Sequence, residues 1–176
     1  MELSFLYAIP RTGLLDTVFL IVTKIAGSYG QWWLAIGLVL LIPKKTRLTG
    51  IAVLVSWVFT SMFCQFILKN LFDRPRPCHL DQAFALLVER PTESSFPSVH
   101  SAQAFAAATA IFVKYKKAGI AAFAVAALIA FSRMYLFLHY PTDVLCGIVL
   151  GILFGIAADR ICDMLKRKSD RGGDGK

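Results

Sequence analysis

The stretch that decides the fold is residues 48–71, which read LTGIAVLVSWVFTSMFCQFILKNL. No charged residue occurs in this stretch before Lys69. A helix needs about 20 predominantly apolar residues to cross the hydrocarbon core of a bilayer. The stretch is long enough to do so, and it therefore predicts a transmembrane helix with an ionisable residue near one end.

Five further apolar segments surround this one. They predict helices at 14–26, 31–42, 97–115, 120–138 and 141–165. The predicted fold class is therefore all-α, a polytopic membrane bundle of about six helices in a single domain, residues 1–165. Residues 166–176 are charged and glycine-rich, which predicts a disordered cytoplasmic tail. Because the segment 14–26 is short, it either crosses the membrane or lies in the membrane interface.

The composition supports a membrane protein and excludes several other classes. Apolar residues make up 57% of the 176-residue chain and charged residues 17%, against roughly 25% charged in a soluble domain. This balance excludes a disordered chain and an ordinary soluble enzyme. The net charge of +8 lies between apolar runs, so it indicates topology and an anionic substrate. We expect the lipid bilayer, and not nucleic acid, as a partner, and the oligomeric state stays open.

The basic residues predict the orientation of the bundle. If all six helices cross, thirteen of the nineteen Lys and Arg residues fall on one face, which the positive-inside rule makes cytoplasmic. That face holds Arg11, Lys44, Lys45, Arg47, Lys114, Lys116, Lys117, Arg160, Lys166, Arg167, Lys168, Arg171 and Lys176. The extracytoplasmic face holds Lys24, Lys69, Arg74, Arg76, Arg90 and Arg133.

Small residues and cysteines have structural interpretations only. Gly147, Gly151 and Gly155 repeat every four residues, and alanines are frequent in residues 104–110. Such residues allow membrane helices to approach closely. The four cysteines show no C-x-x-C spacing, so we expect neither a zinc site nor a structural disulfide.

Three polar segments, 69–77, 96–101 and 132–143, interrupt the apolar pattern and all map to the extracytoplasmic face. Ionisable residues at membrane depth indicate function. Lys69, Arg76 and Arg133 are fixed cations, and Arg matches phosphate oxygens with paired donors. Ser98 adds a hydroxyl, and Pro97 favours a helix start whose free N–H groups bind anions. Together these residues predict a cradle for a phosphate.

Two histidines can supply the chemistry at such a cradle. His139 and Asp143 are four residues apart, so the carboxylate can orient the imidazole and leave its other nitrogen as a nucleophile or base. His100 can protonate a leaving oxygen. The set predicts phosphoryl transfer without a metal or cofactor.

Each of these residues also has an interpretation without catalysis. The histidines can be satisfied interfacial residues, and Asp143 can be a helix-start anion. Lys69, Arg74 and Arg76 can anchor to lipid headgroups. Tyr135 and Tyr140 are expected to be interface aromatics, and His79, Arg90 and Glu93 are expected in a loop that contacts the substrate headgroup.

The order of the motifs resembles the PAP2 superfamily, the type 2 phosphatidic acid phosphatases of membranes. The first motif is Lys69, six residues and Arg76-Pro77; the second is Pro97-Ser98-Val99-His100; the third is Ser132-Arg133, five residues, His139, three residues and Asp143. The resemblance covers residues 69–143 and is specific, because three spaced motifs rarely coincide by chance. One departure is Val99, where the family pattern has Gly.

The resemblance implies a role for each matching residue. His139 would be the nucleophile that forms a phosphohistidine, Asp143 would orient it, and His100 would be the general acid. The phosphoryl oxygens would be held by Lys69, Arg76, Ser98 and Arg133. No metal or cofactor is implied, and water would release inorganic phosphate from the phosphohistidine. If the family Gly serves a close approach of the phosphate, Val99 would hinder the N–H contact at this position; if the second motif is helical, Val99 costs little. We expect activity to survive it.

The implied substrate is a lipid phosphate or diphosphate. The loop between the first two motifs is short, which leaves little room for a separate recognition domain. The small size resembles bacterial members, which suggests undecaprenyl diphosphate or phosphatidylglycerophosphate as the substrate. The outward-facing site places undecaprenyl diphosphate slightly ahead, and phosphatidic acid stays open. The alternative is a membrane protein that binds or transports a lipid or anion without catalysis. A vanadate-dependent oxidase would share the pocket, but those enzymes are typically larger and soluble.

Overall fold

The computed structural model describes residues 2–27 and 30–173, and their regular structure is helical throughout. The α-helices are α1 (Glu2–Ala8), α2 (Gly13–Ala26), α3 (Gln31–Leu41), α4 (Arg47–Ser61), α5 (Lys69–Phe72), α6 (Pro77–Leu80), α7 (Val99–Lys114), α8 (Lys116–Tyr135) and α9 (Pro141–Gly173). A π-helical stretch, Met62–Leu68, joins α4 to α5 without a break. All four cysteines are free.

The six predicted helices are confirmed, with differences at their ends. The segment 48–71 corresponds to α4, the π-helical stretch and α5, and the other five correspond to α2, α3, α7, α8 and α9. The short helices α1 and α6 were not predicted. The prediction of disorder from residue 166 is wrong up to Gly173, because α9 continues to that residue. Lys and Arg are good helix formers, and cations near a helix C-terminus are favourable. Residues 174–176 lie outside the described part of the chain.

Three helical segments are long and apolar enough to cross a membrane, namely Arg47–Leu80, Lys116–Tyr135 and Pro141–Arg171. The pair α1 and α2 meets the same test only as one span bent by 117°. The middle of the bundle is α7, whose alanines are fully buried against α4, α8 and α9. These alanines are Ala102, Ala104, Ala106, Ala107, Ala108 and Ala110.

The bundle has two chemically different ends. At one end, a pocket of about 470 Å³ collects Lys44, Lys45, Lys114, Lys166 and Arg167, and we call this the basic end. At the other end lie the turns at 69–80, 94–100 and 132–143, which carry the three sequence motifs, and we call this the polar end. The five basic residues of the basic end therefore lie together on one face, as the sequence predicted.

Helix α2 both begins and ends at the polar end. Near its start, Asp16 accepts a hydrogen bond of 2.6 Å from the Tyr135 hydroxyl; just beyond its end, the Gly27 carbonyl accepts one of 2.8 Å from His100 Nε2. Of the two alternatives for residues 14–26, the structure favours the one in which they do not cross.

This course of α2 corrects the placement of Arg11. Six crossings would put Arg11 on the basic face, whereas its guanidinium lies 4.9 Å from the ring centroids of both Phe84 and Tyr135, at the polar end. The prediction was wrong because it depended on a sixth crossing.

The glycines of α9 pack directly on the backbone of α7, as their spacing predicted. A Cβ atom at Gly147 would lie 2.6 Å from the Ser98 carbonyl oxygen, and one at Gly151 would lie 2.3 Å from that of Ala102. A Cβ atom at Gly155 would lie 2.5 Å from the Ala106 carbonyl oxygen. Backbone atoms cannot swing aside as side chains can, so this stripe fixes the distance between α7 and α9.

The Gly151→Ala variant should therefore force α7 and α9 apart. We expect the thermal stability to fall by the equivalent of about 1–3 kcal/mol, the usual cost of overpacking. The measurement is the midpoint of thermal unfolding of the protein purified in detergent. Gly13→Ala is the matched control, because no atom lies within 4 Å of the added Cβ; equal stability losses in the two variants would contradict this account.

Candidate active site

The first motif lies on the turn that follows α5. Lys69 comes directly after the π-helical stretch and begins α5. This helix ends at Phe72, and the next residue, Asp73, adopts a left-handed conformation with φ 37°. Asp tolerates this conformation better than most residues. The turn places Arg76 at the polar end of the bundle, where its Nε donates to the Glu93 carbonyl over 2.8 Å. Both Lys69 (7% exposed) and Arg76 (4% exposed) are buried, which disagrees with a role as headgroup anchors.

The second motif forms the start of α7. Ser98 is the N-cap residue, and Val99 is the first residue of the helix. Val99 has no positive φ, so Val in place of the family Gly costs the backbone little. The first N–H groups of a helix have no partner within the helix, and Val99 and His100 both line the cavity described below. This helix start can therefore offer N–H groups to an anion.

The third motif depends on a strained turn between α8 and α9. Phe137 has φ 59°, which is unfavourable for a bulky residue. Its ring stacks on Phe84 with the centroids 4.0 Å apart. Beyond it, the N–H groups of Leu138 and His139 both donate to the Arg133 carbonyl, over 3.1 and 3.2 Å. The turn thus folds the His139 segment back over the end of α8.

A cavity of about 630 Å³ joins the three motifs. Five of the predicted site residues line it, namely Lys69, Arg76, His100, Arg133 and His139. Further charged side chains at its wall are Lys24, Arg90, Glu89 and Glu93. The cations outnumber the acids by five to two, so the cavity favours an anion with several negative charges.

The tautomer of His139 follows from its contact with Arg76. Arg76 Nη1 lies 3.2 Å from His139 Nε2. Because a guanidinium group only donates, Nε2 must carry a lone pair and the proton is on Nδ1. Burial lowers the pKa of His139 to about 3, so the ring is neutral at physiological pH. A neutral imidazole with Nε2 unprotonated is the form required of a nucleophile.

Asp143 lies on the other side of the His139 ring. Its Oδ2 atom is 3.7 Å from Nδ1, and among the described residues Nδ1 has no hydrogen-bond partner. The distance is longer than a hydrogen bond, but such contacts are often long before substrate binds. Asp143 is fully buried and accepts hydrogen bonds from the Ser95 hydroxyl and from the Tyr140 N–H, the latter over 2.9 Å.

Helix α2 supplies partners to two of the motif residues. Arg133 donates from Nη2 to the Thr23 hydroxyl, and its Nε donates to the Ser132 hydroxyl over 3.2 Å. His100 donates from Nε2 to the Gly27 carbonyl, so in a neutral ring the lone pair is on Nδ1. The α2 helix therefore forms one wall of the cavity.

Some predicted residues lie elsewhere than expected. Ser98 does not line the cavity, and its hydroxyl lies 2.9 Å from that of Ser101. Of the loop residues, Arg90 and Glu93 line the cavity, whereas His79 lies within hydrogen-bonding distance of the Pro91 carbonyl, at 2.7 Å. Tyr135 and Tyr140 are buried, not interfacial.

Sequence reasoning missed several residues that support the site. They are Glu2, Thr23, Gly27 and Ser95, and the inner contacts of Arg74. None of these residues stands at a distinctive spacing from the histidines, so the sequence contains no signal for them. Among residues 2–27 and 30–173, no group of three or more His, Cys, Asp or Glu side chains is arranged to hold a metal ion.

Comparisons with known proteins agree with this arrangement. The sequence profile of the PAP2 superfamily matches residues 50–166. An undecaprenyl-diphosphatase of Sulfolobus acidocaldarius is 32% identical over 120 residues, which cover 68% of this chain and 58% of that protein. A decaprenylphosphoryl-5-phosphoribose phosphatase of Mycobacterium tuberculosis is 32% identical over 136 residues, covering 77% of this chain and 74% of that protein. The chain thus spans about three fifths of the first of these relatives.

A solved structure shares the architecture. The crystal structure of a transmembrane PAP2 type phosphatidylglycerolphosphate phosphatase from Bacillus subtilis superposes with a TM-score of 0.76 at 28% sequence identity. The superposition covers 94% of this chain and 86% of that one. The motifs, the profile match and the shared fold lead to one conclusion: the chain belongs to the PAP2 superfamily.

Proposed function

We propose that this protein is a membrane lipid phosphatase that cleaves a lipid phosphate or diphosphate through a phosphohistidine on His139, without a metal. The observation that carries the proposal is the environment of His139. Its Nε2 lone pair faces Arg76 at the cavity, and its Nδ1 faces the buried carboxylate of Asp143. The family membership and the phosphatases among the relatives support the same reaction class.

In the first step, His139 Nε2 attacks the phosphorus atom as Arg76 turns its donors to the phosphoryl oxygens. A phosphorus–nitrogen bond forms and the bond to the leaving oxygen breaks. His100 enters this step as an imidazolium, which the negative charge of the bound phosphate stabilises. It gives its Nδ1 proton to the leaving oxygen, which departs as a lipid alcohol or a lipid monophosphate, and Nε2 keeps its bond to the Gly27 carbonyl. Lys69, Arg76 and Arg133 stabilise the charge on the phosphoryl group, and Asp143 stabilises the positive charge that develops on His139.

In the second step, water attacks the phosphohistidine. His100, now neutral, accepts a proton from that water, the phosphorus–nitrogen bond breaks, and inorganic phosphate leaves. His139 returns to its neutral form with the proton still on Nδ1. Both histidines therefore end the cycle in the protonation states in which they began it. The cations of the cavity neutralise the charge on the phosphoryl group, which a metal ion does in other enzymes.

The cavity favours a diphosphate over a monophosphate. Lys69, Arg76 and Arg133 are sufficient to bind one phosphoryl group. Lys24 and Arg90 add two further cations at the same cavity, and they can hold a second phosphate. We therefore place a prenyl diphosphate such as undecaprenyl diphosphate ahead of phosphatidylglycerophosphate, in line with the first of the relatives.

The active site is proposed to face the extracytoplasmic side. The basic end carries Lys44, Lys45, Lys114, Lys166 and Arg167, and the positive-inside rule places such an end in the cytoplasm. The cations of the polar end oppose that rule, which is consistent with a functional reason for them.

The catalytic proposal predicts phosphate release that survives EDTA and requires His139. We expect the protein in detergent to hydrolyse undecaprenyl diphosphate, phosphatidylglycerophosphate or phosphatidic acid, and His139→Ala to lose more than about 1000-fold in rate because the nucleophile is gone. His79→Gln is the matched histidine control, since His79 lies outside the cavity. Binding of these lipids without any turnover would instead support the non-catalytic alternative.

The substrate proposal predicts a selective effect of Lys24→Gln and Arg90→Gln. Each should raise KM about tenfold for the lipid diphosphate, because a charge-assisted contact is lost, and leave KM for a lipid monophosphate within about twofold. Lys44→Gln at the basic end is the control. Equal effects of the cavity variants on both substrates would show that these cations do not bind a second phosphate.

The orientation can be measured by labelling introduced cysteines in intact cells with a membrane-impermeant maleimide. Ala85→Cys, exposed at the polar end, should react in intact cells. Lys44→Cys, exposed at the basic end, should react only after permeabilisation. The unaltered chain gives the background from its own cysteines, and the reverse pattern would place the active site in the cytoplasm.

A further inference from the structure

Arg74 contacts Asp143, one residue of the proposed catalytic pair, from outside the cavity. Its Nη1 atom lies 2.6 Å from Asp143 Oδ1 and 2.8 Å from the Thr142 hydroxyl. Its Nη2 atom lies 2.6 Å from Glu2 Oε2. The guanidinium also lies over the Tyr140 ring, 4.0 Å from its centroid. Arg74 does not line the cavity, so these contacts are not part of the phosphate cradle.

The two oxygens of Asp143 are held by different partners. Oδ2 faces His139 and accepts from Ser95 and from the Tyr140 N–H. Oδ1 accepts from Arg74. A carboxylate bonded at both oxygens cannot rotate about its Cβ–Cγ bond without breaking a charge-assisted hydrogen bond. Arg74 therefore helps to set the direction in which Oδ2 faces the imidazole.

The backbone of Arg74 is fixed by the same loop that supplies Ser95. Its N–H donates to the Ser94 hydroxyl over 3.0 Å, and its carbonyl accepts from the Ser95 N–H over 2.7 Å. The guanidinium and the Ser95 hydroxyl thus reach Asp143 from one connected unit. This unit joins the turn before α6 to the start of α9.

Glu2 completes the network from α1. Its Oε1 atom accepts from both the N–H (3.1 Å) and the hydroxyl (2.7 Å) of Thr142. Thr142 is in the first turn of α9, where free N–H groups favour an anion. Helix α1 is itself anchored through Leu6, which is buried, and Tyr7, whose ring lies 5.1 Å from that of Phe137. The anchored Glu2 therefore holds Arg74 from the side opposite Asp143.

We propose that Arg74 and Glu2 are positioning residues for the Asp143–His139 pair. Through Glu2, helix α1 then helps to fix the geometry of the active site. The proposal rests on the catalytic function proposed for His139. Neither residue touches the phosphate: Arg74 orients the Asp143 carboxylate, and Glu2 orients Arg74. A residue that only anchored the substrate headgroup would act on substrate binding instead.

The test compares Arg74→Met, Arg74→Lys and Glu2→Gln in detergent. Arg74→Met should lower kcat about 10- to 100-fold with KM within about twofold, because a charge-assisted hydrogen bond that orients the catalytic pair is lost. Arg74→Lys keeps a charged donor and should recover part of kcat. Glu2→Gln should lower kcat less, and should add nothing in the Arg74→Met background.

The control is Arg11→Met, since Arg11 also lies over aromatic rings at the polar end but contacts Asp16 and not Asp143. Its kcat should be unchanged. A raised KM with kcat unchanged in Arg74→Met would overturn the proposal in favour of headgroup anchoring. Loss of thermal stability alone, with kcat per folded molecule unchanged, would overturn it in favour of a purely structural role.

A second readout separates this proposal from the catalytic one. NMR of isotope-labelled histidine reports the ring tautomer whether or not the protein turns over. His139, assigned by comparison with His139→Gln, should carry its proton on Nδ1 in the unaltered chain, and Arg74→Met should raise the population of the other tautomer. An unchanged tautomer would overturn the positioning role, whereas absent turnover with the predicted tautomer shift would overturn only the catalytic function.

Discussion

The polar end of the bundle depends on the buried carboxylate of Asp143. An ionised carboxylate without solvent is costly unless it is hydrogen-bonded and paired. Here the cost is offset by Arg74, by the Ser95 hydroxyl and by the N–H of Tyr140. Because these donors belong to three separate stretches of chain, satisfying one carboxylate fixes the turn after α5, the loop before α7 and the start of α9 relative to one another.

The close packing of α7 and α9 also holds parts of the polar end together. Without side chains at Gly147 and Gly151, the two backbones approach so closely that the Ser98 N–H donates to the Asp143 carbonyl over 3.1 Å. The second and third motifs are therefore joined through their backbones as well as through the cavity. Packing of small residues, which has no chemistry of its own, therefore holds the second and third motifs next to each other.

Much of this could be predicted from the sequence. Apolar runs give the long helices, because only a membrane-spanning helix accounts for a stretch such as 48–71, and the glycine spacing gives the α7–α9 contact. The three motifs give the residues around the cavity, since each contains polar or ionisable groups that apolar helices would otherwise exclude. Only Ser98 among the proposed phosphate ligands lies away from the cavity wall.

The rest depends on contacts between distant parts of the chain. Glu2 and Thr142 are separated by 140 positions, and no local pattern links a seven-residue helix to the start of α9. The course of α2 has the same origin: its composition suits a crossing or an interfacial helix equally, and the bonds from Tyr135 and His100 decide between them. Helix α9 continues beyond residue 165 because Lys and Arg are good helix formers. The sequence prediction missed this because it took the high charge of the segment as a sign of disorder.

The most direct measurement of the central claim is detection of the covalent intermediate. The purified protein would be mixed with a radiolabelled lipid diphosphate, quenched in alkaline denaturant and digested, and the labelled peptide identified. The account predicts an acid-labile, alkali-stable label on the peptide that contains His139, absent from His139→Ala. Turnover without any protein-bound label on rapid quenching, or a label on another residue, would contradict it.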